Sequence, residues 1–504
     1  MLCEVYETDA LLNIPTRSSI LATSCIVHTM SSFQDLPNEL VSRVLHFVPP
    51  ADLLPFALMS KFIYALARDA LNRQRELSKR YSLVLVGSLE SRSDSLCPSN
   101  VDDTHHALLL LGSILQDPDV AYHTRDLHIG DCGFDESDNL YENTNADIPE
   151  SRESVVTNHS VQLQQLVDKC PFVAPRWKQY LKQLLLEPGN DHGAVCLLLT
   201  LLPNLKHVHL EEWSHCSDTL RHIVGQIAEA NRATASPNHG KALSRLVECT
   251  MNHGNTEIGE MIVGYGVFAM LPSIRILRGR QICGDDSCWP TELRPGSSNV
   301  TEIEFTHSTI DMESFQGLFE SIHCLKKFTY SFGGGVVGDT EYRPIAIIDS
   351  LRKTASHSLE LLDVEGISET FGNYTEGDDS SLGSLHMFMA LKKARLEDTL
   401  FLLPGGLLSP KTLPDGEFYE EASDVSSVER VVDILPPSVT EFTLIQLENT
   451  QESKKLFYGL ADLKAEKLPD LKRLTFEHPD PLDEDLKGAL KTAGVGLWRW
   501  KNPL

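Results

Sequence analysis

One phrase returns along the chain and limits what it can fold into. It reads Leu202-Pro203-Asn204-Leu205-Lys206-His207-Val208-His209-Leu210, and comes back as Leu271-Pro272-Ser273-Ile274-Arg275-Ile276-Leu277 and as Leu468-Pro469-Asp470-Leu471-Lys472-Arg473-Leu474-Thr475-Phe476. Looser copies lie at Leu246 to Met251, Val300 to Phe305, Leu325 to Tyr330, Leu359 to Val364, Leu385 to Leu396 and Val439 to Leu444. Each ends in near-alternating apolar residues, the signature of a short strand with one buried face. Most are preceded by a stretch of helical periodicity, such as Met312 to Ile322 or Pro344 to Ala355. The strands recur at about 25 to 35 residues, the period of stacked helix–strand units. One such unit cannot bury its own apolar face, so neighbours must cover one another. The spacing alone also admits a compact α/β domain built from similar units.

The pattern resembles a divergent leucine-rich repeat. The copies are irregular, carry insertions and lack a strict asparagine position. The expected fold class is therefore α/β, with an irregular solenoid of helix–strand repeats over residues 160–504. Residues 81–159 form its irregular start, with strands at Leu83 to Val86 and His123 to Ile129 and a helix over His105 to Leu115.

The N-terminal part has a different character. Residues 31–80 contain Leu36-Pro37-Asn38-Glu39-Leu40, then Val41, Val44, Leu45 and Val48 at helical spacing. Pro49 and Pro50 stop that helix. A second helix is expected from Asp52, through Leu53, Leu54, Phe56 and Leu58, with Pro55 tolerated in its first turn. Ser60 caps a third, through Phe62, Ile63 and Leu66. Asp35 is the expected cap of the first. About fifteen apolar side chains in so short a stretch exceed what the unit can bury alone, so it needs a partner surface.

This stretch resembles an F-box, the helical module by which substrate receptors of cullin–RING ubiquitin ligases dock on a Skp-type adaptor. The matching features are Leu36-Pro37-x-Glu39-Leu40, then Pro50-x-Asp52-Leu53-Leu54, then Leu58-Met59-Ser60-Lys61-Phe62. Phe62 stands where tryptophan is common, and Pro55 is unusual. Divergent leucine-rich repeats follow such modules in many fungal proteins. The resemblance implies an SCF-type substrate receptor without catalytic activity of its own. It also implies adaptor docking through Leu36, Pro37, Leu40, Val44, Leu53, Leu54, Leu58 and Phe62, with cullin engaged through the adaptor. The alternative is an F-box and repeat scaffold acting outside a ligase.

Composition closes off other classes. The 504 residues carry 44 Lys and Arg against 71 Asp and Glu, a net charge of −27. So acidic a chain is unsuited to neutralising phosphates, so neither nucleic acid nor an anionic membrane is an expected partner. No run approaches a membrane span. Eleven unpaired-looking cysteines fit a reducing compartment, cytoplasm or nucleus. Residues 1–30 show no periodicity and read as a disordered leader. The acidic runs Asp131 to Glu150, Glu369 to Ser381 and Ser409 to Asp424 read as mobile loops.

No cofactor or metal is expected. Gly264-Tyr265-Gly266-Val267-Phe268-Ala269 matches a dinucleotide fingerprint only formally, and Gly333-Gly334-Gly335 lacks the lysine of a phosphate loop. Cys283 and Cys288 have no second pair to complete a zinc site. His207, His209, His215 and Cys216 cluster, but polar residues on a repeat strand are ordinary. If Val208 and Leu210 point inward, His207 and His209 point out beside Trp213. By the same rule Arg473 and Thr475 point outward and Leu474 and Phe476 inward. His207, His209, Trp213 and Arg473 are accordingly the candidate target-binding residues.

Overall fold

The computed structural model describes residues 36–86, 107–130, 150–186, 191–211, 217–233, 241–253, 260–284, 293–333, 342–366, 382–401, 411–412, 418–419, 429–445, 455–477 and 484–499. The expected leader 1–30, most of Asp131 to Glu150, and Glu369 to Ser381 lie outside them. The chain divides into two compact units, Met1–Val247 and Glu248–Leu504.

The first unit opens with three helices: α1 (Asn38–Phe47), α2 (Pro50–Ala57) and α3 (Lys61–Tyr81). Pro37 directly precedes α1 and makes no side-chain cap; Asp35, the expected cap, lies outside the described residues. Pro55 sits well inside α2 rather than in its first turn; the ring removes one helical hydrogen bond, and α2 ends two residues later. Ser60 does cap α3, its hydroxyl accepting from the Phe62 N–H at 3.1 Å. α3 runs for 21 residues and feeds directly into β1 (Leu83–Val86). β1, β2 (Asp126–Ile129) and β3 (His207–Glu211) are parallel neighbours in that order. Between them lie α4 (Ala107–Gln116), α5 (Val120–His123), α6 (Glu150–Lys169), α7 (Pro175–Leu186) and α8 (His192–Leu201); α9 (Ser217–Ala233) follows β3. Glu150, expected in a loop, begins α6.

The second unit repeats one rule. Its parallel strands are β4 (Glu248–Asn252), β6 (Ile276–Arg280), β8 (Glu302–Ser308), β9 (Lys327–Phe332), β10 (Leu361–Gly366), β11 (Lys393–Glu397), β14 (Glu441–Ile445), β15 (Arg473–Phe476) and β16 (Gly496–Arg499). Each pairs with the one before it in this list. The short strands β5 (Glu260–Met261) and β7 (Ile282–Cys283) form a separate parallel pair. Helices cover several returns: α10 (Val263–Ala269), α11 (Met312–Ser321), α12 (Pro344–Ala355), α13 (Val431–Ile434), α14 (Leu460–Lys467) and α15 (Glu484–Thr492). The sheet is parallel and open.

Burial explains the recurring phrase. Two residues ahead of each strand from β4 to β15 in this sheet sits an apolar side chain at most 2% exposed: Leu246, Ile274, Val300, Leu325, Leu359, Leu391, Val439 and Leu471; ahead of β16 it is Val495, one residue before the strand. In β4 to β15 of this sheet the second and fourth strand residues follow it inward, as in Phe328 and Tyr330 or Leu362 and Val364. Under β9 the inward rings meet α11, with Phe315 against Tyr330 at 5.0 Å and Phe319 against Phe328 at 5.2 Å.

Two expectations need correction. Thr475 is 8% exposed, not outward in solvent; its in-register neighbours are Thr443 and Trp498, and the indole is large enough to shelter it. Of Ser409 to Asp424, expected to be loop throughout, only β12 (Lys411–Thr412) and β13 (Phe418–Tyr419) are described, and they are strands that pair antiparallel. The intervening sequence contains Pro414-Asp415-Gly416, turn chemistry that suits a hairpin.

Candidate functional site

The apolar residues of α1 fall on two stripes. Val41 and Leu45 turn inward, 0% and 6% exposed, to a core shared with Leu53, Ala57, Ile63, Ala67 and Leu71. Leu40, Val44 and Phe47 turn the other way, 47%, 39% and 56% exposed. They are four and three residues apart, one continuous ridge on a helix. Leu54, Leu58 and Met59, on α2 and the turn after it, are 47%, 66% and 76% exposed. Counting Tyr64, residues 40–64 hold seven of the fourteen large apolar side chains exposed among the described residues. A helix apolar on both sides needs cover on both, and among the described residues one side of α1 has none.

The eight residues expected to dock an adaptor therefore separate. Leu40, Val44, Leu54 and Leu58 are on the exposed face, and Pro37 is exposed beside α1. Leu53 lies in the module's own core, while Leu36 and Phe62 lean against that core. Phe47 and Met59 belong to the exposed face and were not among the eight. Phe47 was legible, being the next member of the Leu40–Val44 ridge.

Positive charge on α3 is partly committed. Arg73 meets Asp117 at 2.7 Å and Asp119 at 3.4 Å, tying α3 to the turn before α5. The hydrogen bond that the Arg73 guanidinium donates to Asp117 holds it above its ordinary pKa against some loss to burial. With Arg73 half exposed, the pair adds little stability. Arg68, Arg75, Lys79 and Arg80 are exposed.

The outward side chains of β2 and β3 pair in register. Asp126 stands opposite His207 and His128 opposite His209. Val208 and Leu210 are buried, His207 is exposed and His209 half-buried. His207 Nδ1 contacts the Asp126 carboxylate. His209 stacks on His128 with centroids 5.2 Å apart and contacts Glu211 at 3.2 Å. Trp213, His215 and Cys216 lie outside the described residues.

In the second unit the outward strand face is charged. Arg395 on β11 meets Asp363 at 2.8 Å, Glu365 at 2.6 Å, and both oxygens of Glu477 at 2.6 and 2.9 Å. Burial pushes the Asp363 carboxyl up to about 6; Arg395 opposes this, and Glu365 and Glu477 add to it. Burial would lower the Arg395 pKa, but its three carboxylates hold it well above the ordinary value. Glu397, 0% exposed, accepts from the Tyr342 hydroxyl at 3.1 Å and from the Gly366 N–H. A side chain at 366 would meet Tyr342 at 2.9 Å, so the glycine leaves room for that anchor. Arg473 is exposed, its guanidinium 5.0 Å from the Trp498 ring centre.

The weak chemical motifs resolve into structure. Residues 264–269 lie in α10, where Tyr265 is 0% exposed and its hydroxyl meets the Met251 and Arg278 carbonyls at 2.9 and 2.7 Å. Gly333 takes φ 94° just after β9, a turn conformation. Among the described residues no group of three or more His, Cys, Asp or Glu is placed to hold a metal ion. No helix among them is long and apolar enough to cross a membrane.

Residues 33–75 match the family model of the F-box domain. That span contains α1, α2 and most of α3, including the whole exposed ridge. A search of curated proteins found no match to the chain.

Proposed function

We propose that the chain is the substrate-recognition subunit of an SCF-type cullin–RING ubiquitin ligase. The observation that carries this reading is the uncovered apolar ridge of α1 and α2, inside the span that matches the F-box domain. F-box domains in general dock on a Skp-type adaptor and through it on cullin. The strand array, read as an irregular leucine-rich-repeat solenoid, holds a protein target. The chain does no chemistry itself. It raises the rate by proximity, keeping a target lysine near a charged enzyme supplied by the rest of the ligase. The same reading puts it in the cytoplasm or nucleus.

The test is co-purification of the tagged full chain beside its Leu54→Ser, Leu58→Ser variant. Wild type should bring down adaptor and cullin together, and the variant neither, with melting unchanged. Recovery of adaptor without cullin would favour a scaffold acting outside a ligase. Undiminished adaptor capture by a folded variant would refute the docking assignment.

A further inference from the structure

The outward face of the second unit carries two bands of opposite charge. Towards the C-terminal ends of β10, β11 and β15, one cation, Arg395, faces Asp363, Glu365 and Glu477. Towards the N-terminal ends the sign reverses. Lys326 precedes and Lys327 begins β9, Lys392 precedes and Lys393 begins β11, and Lys472 precedes and Arg473 begins β15. All six are exposed.

The acids in this second band are Glu302, Glu360 and Glu441, so six cations face three carboxylates, a net of +3. Each acid is already engaged: Glu302 by Lys327 at 2.8 Å, Glu360 by Lys392 at 2.7 Å, Glu441 by Lys393 at 3.0 Å. Lys326 and Lys472 make no ion pair with a described residue. In a chain of net charge −27, a face of randomly mixed solvated charge would be negative here too. Basic pairs instead sit on alternate strands in the order β9, β10, β11, β14, β15. Two strand spacings are about 10 Å, the length of three residues of extended chain. At one end of the band Trp498 is 57% exposed beside Arg473, an aromatic of the kind that anchors protein interfaces.

We infer that this band binds an extended acidic segment of the target protein, with Asp or Glu at about every third residue. The inference rests on the reading of the array as target-binding. The acid-rich band repels the same segment and so fixes its position on the face, since like charges brought together across an interface are costly. Nucleic acid is the less favoured polyanion, because the neighbouring acidic band and the net charge oppose a phosphate backbone.

The probe is a labelled peptide with Asp at every third position in a Ser/Gly background, titrated against the full chain by fluorescence anisotropy. Binding should weaken several-fold between low and physiological salt. It should fall by about tenfold or more in Lys326→Glu, Lys392→Glu, Lys472→Glu. The same sites changed to Gln should give an intermediate loss and guard against misfolding, with melting recorded for both. Equal binding of the matching Lys peptide, or unchanged affinity in both folded variants, would overturn the inference. Tighter binding of a single-stranded DNA oligonucleotide of equal charge would overturn it in favour of nucleic acid. Proximity labelling separates this from the receptor reading. Protein neighbours that survive charge reversal sink the acidic-segment inference alone. Neighbours whose abundance ignores both the adaptor and loss of the F-box ridge sink the receptor reading and leave the peptide titration standing.

Discussion

Helices 36–81 and the strand array of 248–499 treat their apolar side chains in opposite ways. In the helices, seven large apolar groups lie exposed between residues 40 and 64. In the array the exposed ones among the described residues are Met387, Met389, Tyr458 and Trp498, while Leu, Ile and Phe at the repeating strand positions are almost fully buried. The helical module leaves an apolar ridge exposed. The array spends its apolar residues on its own stacking and leaves a polar, charged face. An apolar ridge gives affinity with little discrimination, whereas a charged face gives discrimination and steering.

The contrast is broken hardest by truncating the array's core. Phe328→Ala, at a site 0% exposed and ringed by Phe315, Phe319 and Tyr330, should cost about 3–5 kcal/mol of stability in denaturant titration. Adaptor binding should survive, since the ridge lies on other elements. The converse change is the paired Leu54→Ser, Leu58→Ser. It should cost about 2–4 kcal/mol in adaptor affinity with stability altered by roughly 0.5 kcal/mol or less, read by calorimetry beside melting. An equal loss in both readings would mean that the ridge belongs to the module's own core.

A third test sharpens the charged face. The raised Asp363 pKa means that the folded protein keeps this proton up to about pH 6, while the unfolded chain loses it near 4. The native state thus binds more protons in that window, so this group's contribution to stability falls as pH rises through it. Asp363→Asn should therefore raise stability at pH 7.5 by about 1–3 kcal/mol and leave it nearly unchanged at pH 4. A gain equal at both pH values would mean that the carboxyl's charge is not the cause. The smallest effect is local to the helices. Ser60→Ala removes the cap that accepts from the Phe62 N–H and should cost about 1 kcal/mol in thermal unfolding, with adaptor affinity falling only as far as α3 frays.

Much of the fold could be read in advance, because strand burial follows a period of two that single residues report. Val208 and Leu210 inward with His207 outward is one such reading, and α12 begins and ends at the residues its periodicity implied. The array's parallel, sequential order follows from helix-length returns between strands. Other details were out of reach. Leu53 and Leu54 are both leucine on the same helix, yet one is core and the other surface. Thr475 looked outward until its neighbours on β14 and β16 were known. The Arg395 cluster joins β10, β11 and β15 across more than eighty residues of sequence, and no local pattern announces it.

The residues themselves determined which stretches become helix or strand, where prolines and Ser60 set the boundaries, and that the first helices hold more apolar surface than they can hide. These are properties of near neighbours on the chain: periodicity, ring closure in proline, a hydroxyl within reach of a free N–H. Only the tertiary structure decided which apolar stripe of α1 stays uncovered. It also decided that basic pairs at the starts of β9, β11 and β15 come to lie two strand spacings apart, with Asp363, Glu365 and Glu477 gathered around Arg395 towards the other end. Those facts depend on which strand lands beside which, set by many weak contacts summed over the whole stack, and no single segment encodes them.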